Sequence, residues 1–466
     1  MSEDRKRGCF KLTCVGCVAM PFLAVLFTYG AIKCQASRIG DRLPQEVAKL
    51  GALGAALEPA DLEPNPPIPT GQNAAHLLNP LIEEFKKVKE EKFYKDFEKR
   101  LSETSRNRTP TEDDTQIVAT MRRLEPFLQR VDKVNWTPRL YFKRDWSLGA
   151  SVMFPEYAYL KQIAKLEADR SRIAVKAGDP QTSLSALKTC FRLSDLVSQE
   201  PTIIAALVAV SIHTIGYVAL ENHLERFQGN TGALKDVLAM LRSIPGKFDL
   251  KRPLDGEIVM TRQWLRSASA DEFSGAGNEG YATDSDRVLA IALRDPAVRR
   301  MYEVRYLELW SKAFAVLPAD HTDWRGLQKA AEVVDKELQK PATVDSYLNQ
   351  LLYPVLGQYP LAAGEMQARH RLAILATMLL LDRSNGLPAD LKKYGSLAID
   401  PMDGLPVRYI RKGGGFKIWS IGKDQFDNGG VKYWRNAGMT NQDTDEVLMF
   451  GYPESPPARP TPPKTP

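Results

Sequence analysis

Pro155-EYAYLKQIAKLEADRSRIAVKA-Gly178-Asp179-Pro180-QTSLSALKTCFRLSDLVSQ-Glu200-Pro201 reads as two helices joined by a tight turn. Tyr159, Ile163, Leu166, Ile173 and Val175 fit one helix ending at Gly178. Asp179 is a short acceptor at the next N-cap, and Pro180 fits the first helical position. Leu184, Leu187, Phe191, Leu193 and Val197 make the buried face of that second helix. Glu200-Pro201 stops it, and a third helix is expected from Ile203 to about Phe227. Two helices across a Gly-Asp-Pro turn form an αα-hairpin.

The same periodicity extends outward. Ile82, Phe85, Val88 and Phe97 recur among Lys and Glu, predicting one solvated amphipathic helix over Leu81–Arg100. A second runs from Glu112 to Asp132. Asn135 to Met153 is aromatic and irregular, an ordered loop wrapped on the helices. Ser267 to Asp286 is rich in Gly, Ser and Asp and reads as a loop. Further helices are expected at Arg287–Phe314, Trp324–Lys340, Thr343–Leu352 and Glu365–Asp382. The hairpin resembles a tetratricopeptide pair, but no repeat of about 34 residues follows, so a solenoid is not supported. Ile203–Leu220 carries no charge over 18 residues. A bundle-centre helix is the expectation there, a second membrane span the alternative.

The composition is that of a globular protein, and 466 residues suit two or three domains. Sixty-three basic residues against 57 acidic ones give a net charge of +6, spread along the chain. That distribution lacks the concentrated basic face of a nucleic-acid binder. Four of five cysteines (Cys9, Cys14, Cys17 and Cys34) lie near the N-terminus, leaving Cys190 alone in the body. Internal disulfides are therefore not expected.

Leu12–Ile32 holds 21 residues without a charge. At about 1.5 Å per residue such a helix crosses a bilayer core of about 30 Å. Arg5, Lys6, Arg7 and Lys11 precede it, which places residues 1–11 in the cytoplasm and the rest outside. Cleavage after a signal-like Cys34-Gln35-Ala36 is the alternative, although the apolar run exceeds a usual signal core. Gly8-Cys9-Phe10 is similar to a prepilin cleavage site, but Thr13 stands where pilins carry glutamate. Five prolines between Leu57 and Gln72 suggest that residues 33–72 are an extended spacer below a helical body over 73–364.

Beyond Asn385 the period drops towards two. Pro388 is expected to start a short helix with Leu391. Val407–Ile410 and Phe416–Ser420 read as strands around a Gly413-Gly414-Gly415 turn, with a last strand at Glu446–Phe450. Residues 365–452 resemble the C-terminal part of major pseudopilins of type II secretion. The resemblance rests on Leu387-Pro388, Asp400-Pro401 with Gly404, Tyr409, Ser420-Ile421-Gly422-Lys423-Asp424, and Gly429-Gly430. Gln425 departs from that family's glycine. The resemblance implies a calcium ion in this loop, with Asp424, Asp427 and Asp445 (or Asp443) as candidate ligands and the Ile421 carbonyl beside them. Asx-turns use the same aspartates without a metal. The Pro-rich tail 453–466 is expected to be disordered. The whole chain is also similar to uncharacterised bacterial membrane-anchored proteins joining a helical body to such a module.

No Walker loop, nucleophile elbow, zincin helix or dinucleotide fingerprint occurs. His76, His213, His223, His321 and His370 are scattered, and Cys190 lies on an apolar face. His321 and Asp323 are candidate partners, and Glu257 is an isolated acid. The fold expected is mainly α, a helical bundle with αα-hairpins, plus a small C-terminal antiparallel β module and one N-terminal transmembrane helix. The function expected is that of a non-enzymatic, membrane-anchored periplasmic protein with an envelope protein partner. An envelope hydrolase acting on glycan or peptide bonds, or a pseudopilin-like secretion component, are the alternatives.

Overall fold

The computed structural model describes residues 29–107, 115–267, 293–341, 343, 345, 346, 356–431 and 445–453. They are mainly helical, with a three-stranded antiparallel sheet near the C-terminus. Most of the expected span Leu12–Ile32 lies outside the described residues, as do nearly all of the loop expected at Ser267–Asp286, the start of the helix expected at Arg287–Phe314, most of the helix expected at Thr343–Leu352 and the tail from 454. Residues 29–40 are helical.

Much of the segment expected as an extended spacer packs on the body. In the helix over 29–40, Ala36 is fully buried and Ile39 packs beside Leu265, Leu293 and Met301. Helix α1 (Leu43–Ala52) continues along the same face. Leu57 and Leu62 are buried, and Arg252 Nη2 donates to the Leu62 carbonyl at 3.3 Å. A fully buried Arg262 donates to the Leu57 carbonyl and holds Glu303 at 3.0 Å. Prolines stiffen this stretch, but its leucines still find apolar partners.

The helix expected over Leu81–Arg100 is two: α2 (Ala75–Glu90) and α3 (Lys92–Asn107). The extended backbone of Glu91 divides them, which lets Phe85 and Tyr94 meet edge to face at 5.5 Å. Helix α4 (Thr115–Val131) closes this lobe.

The hairpin is as its residues predict. Helix α5 (Pro155–Ala177) ends at Gly178 with φ 74°. Helix α6 (Pro180–Val197) starts on the Asp179 carboxylate, which accepts the N–H groups of Gln181 and Thr182. The Glu200-Pro201 break is anchored inward. Glu200 accepts from the Phe142 N–H and the Tyr157 hydroxyl, each at 3.0 Å. Thr202 then caps helix α7 (Ile203–Phe227). Among the described residues α7 is long and apolar enough to cross a membrane, yet 56% of its most apolar window is buried. It packs between α6 and the last long helix.

Helices α8 (Thr231–Ser243), α9 (Lys251–Ser267), α10 (Pro296–Phe314), α11 (Trp324–Leu338) and α12 (Gln358–Asp382) complete the body. The short helix expected at Pro388 is a 3-10 helix over Lys392–Ala398. Strands β1 (Arg408–Lys412), β2 (Gly415–Ser420) and β3 (Glu446–Phe450) pair antiparallel in that order. Gly413 and Gly414 have φ 61° and 77°, so both residues of the two-residue turn are left-handed. Central β2 is buried throughout and rests on α12.

Candidate functional site

A groove of about 310 Å³ opens where the Pro-rich segment crosses the end of α6. Pro64, Ile68, Tyr141 and Phe248 line it, and Arg139, Lys247 and Arg252 supply positive charge. An isolated bridge between Asn73 and Arg139 fixes the loop there. The Arg139 N–H donates to the Gln72 carbonyl, and its own carbonyl accepts from Ala74 N–H. Its guanidinium has no partner among the described residues. Lys247 Nζ stands 3.8 Å from Asp320, a loose exposed pair. Arg252 Nε is spent on the Gln199 carbonyl at 2.8 Å.

Two carboxylates reach the same groove, and both are engaged. Asp195 is paired with Arg192. Asp249 accepts the Lys251 and Arg252 N–H groups at 2.9 and 3.3 Å, at the start of α9. Burial pushes the Asp195 carboxyl up, against the pull of Arg192.

A second polar centre joins the body to the sheet. Arg369 on α12 bonds Glu446 of β3 at 2.8 and 2.6 Å, Glu365 at 2.7 Å and the Thr214 hydroxyl of α7 at 2.6 Å. Lys423 Nζ lies 2.9 Å from Glu365. Burial, and the adjoining Glu446, push the Glu365 carboxyl up to about 7. These two glutamates meet around Arg369, and Lys423 pairs with Glu365.

His213, His223 and His370 are buried. His223 Nδ1 bonds the Ser183 hydroxyl at 2.8 Å, and His370 Nδ1 bonds Tyr217 at 2.7 Å. His213 is buried between Phe191 and Tyr217, with neither nitrogen bonded. His321 and Asp323 are not partners. His321 offers its carbonyl to Leu250 N–H, and Asp323 caps α11. Glu257 accepts from Ile203 N–H at 3.2 Å, a second cap for α7. The Cys190 thiol donates to the Ala164 carbonyl, and burial pushes its pKa well up.

The loop bearing the metal candidates is tied by its own chain. Asp424 accepts from Phe426 N–H and the Asn428 amide. Asp427 accepts from Trp419 Nε1, Gly429 N–H and Arg408 Nε. Asp445 accepts from Asn428 and Gly430 N–H. All six carboxylate oxygens thus accept hydrogen bonds from the chain itself, with Arg408 among the donors. Asp443 lies outside the described residues. Among the described residues no three His, Cys, Asp or Glu side chains converge as a metal set. Gln425, which replaces the glycine of the resembled motif, has φ 59°, the conformation that glycine serves best.

No family model, curated protein or solved structure matches this chain. The groove's cations were not legible as a site. Arg139, Lys247 and Arg252 are far apart in sequence and share no motif. The one local signal was an aromatic, irregular stretch that helices alone do not explain.

Proposed function

We propose that this chain is a non-enzymatic envelope protein, tethered by Leu12–Ile32, whose helical body holds an acidic segment of a partner protein in the Arg139–Lys247 groove. The carrying observation is the Arg139 guanidinium, without a partner among the described residues, beside a tyrosine, a phenylalanine and a loosely held lysine. An extended acidic peptide matches this by charge and by its apolar side chains. Both groove carboxylates already have structural work, which favours binding over hydrolysis. The uncharged run behind a basic tail supports the tether and the orientation. The pseudopilin-like module, in this reading, braces the body through Arg369.

The test is a photocrosslinking residue at Ile68 of the full chain, with Trp136 as an exposed control outside the groove. The expected result is one discrete protein adduct from Ile68, lost in R139E/K247E. Absence of a groove-specific adduct, or hydrolysis of envelope glycan or peptide by the purified chain, overturns the reading.

A further inference from the structure

Three aspartates of the C-terminal module, one of them the calcium candidate Asp427, surround a cation that the chain itself supplies. Arg408 of β1 donates through all three nitrogen positions. Nη1 lies 2.9 Å from Asp400, Nη2 2.5 Å from Asp403 and Nε 3.1 Å from Asp427. Asp400 has no exposed side-chain surface. It also accepts from the Ser420 hydroxyl at 2.7 Å, Met402 N–H at 2.8 Å and Ile421 N–H at 3.1 Å. One carboxylate therefore pins the turn before β1 to the end of β2. Two further guanidiniums close on this turn. Arg371 donates to the Ile399 carbonyl, and Arg325 lies 3.2 Å from where a Gly404 Cβ would stand. A divalent ion bound at Asp427 would displace the Arg408 bond and meet its charge at close range.

We propose that Arg408 takes the place of the calcium ion implied by the pseudopilin resemblance, so that this module is held together without a metal. A planar fork reaches three carboxylates from one position, which a hydrated point charge does less well. The proposal is independent of what the groove binds.

Hydrogen exchange at Ile410 and Ile418 in the full chain tests it. The wild type should exchange at the same rate in calcium and in chelator. In chelator, R408Q should exchange at least tenfold faster, and R408K should fall between. Wild-type exchange slowed tenfold by calcium overturns the proposal, as does wild-type protection surviving in R408Q. Should R408Q fail to fold, the wild-type comparison alone decides.

Discussion

His213 is a polar side chain in an aromatic setting. It is 1% exposed, touches Phe191, Tyr217 and His370, and bonds nothing through its ring nitrogens. Burial, then His370 and Arg369, hold its pKa well below 6.5. The folded state therefore keeps it neutral while the unfolded chain protonates it in acid. Its contribution is intact above pH 6.5 and is lost as pH falls below that. His213→Leu should be neutral or stabilising by about 1 kcal/mol at pH 7.5, and more so at pH 5. Urea unfolding at both pH values checks this; an advantage that shrinks in acid would contradict it. His223 and His370, each lowered to about 4 by burial, should keep the remaining acid sensitivity.

Single elements show what local chemistry determines. Asp179 fixes where α6 begins, and Asp179→Ala should cost about 1 kcal/mol of stability. Asp179→Asn should restore most of it, as read by thermal melting; equal losses would remove the cap argument. The boundaries of α5, α6 and α7 were legible because glycine, aspartate and proline stand in capping order. The strands were legible from alternation around a glycine turn. The division of α2 from α3 was not, since Glu91 carries no breaker signal and only the Phe85–Tyr94 contact requires it. The docked course of residues 33–72 was hidden for a similar reason. Prolines argue for extension, but Leu57 and Leu62 find their pockets on α9 and its neighbours only after folding.

At the scale of the whole molecule, Arg369 and Glu365 hold helices and sheet together. Their partners Thr214 and Glu446 lie 155 residues before and 77 residues after Arg369, so no sequence pattern could show this joint, and the groove is equally non-local. The Glu365 carboxyl, ordinarily near 4.5, is pushed up to about 7. The fold thus favours its protonated form. That stabilisation is full below about pH 4.5 and declines as pH rises to about 7. Between pH 5 and pH 8 the wild type should lose melting temperature relative to Glu365→Gln; parallel profiles would refute the assignment.

The docking of residues 29–62 bears on the proposed tether. Forty loose residues from 33 to 72 could span about 130 Å. Here the helix over 29–40 seats Ala36 on the body, and Lys33 lies 3.1 Å from Asp295. A lipid-spanning segment ending at Ile32 would pass to the body with almost no slack. The height and bearing of the groove above the bilayer would then be fixed by folding. Any ligand would have to come to that plane, because the body could not be cast outward to fetch it.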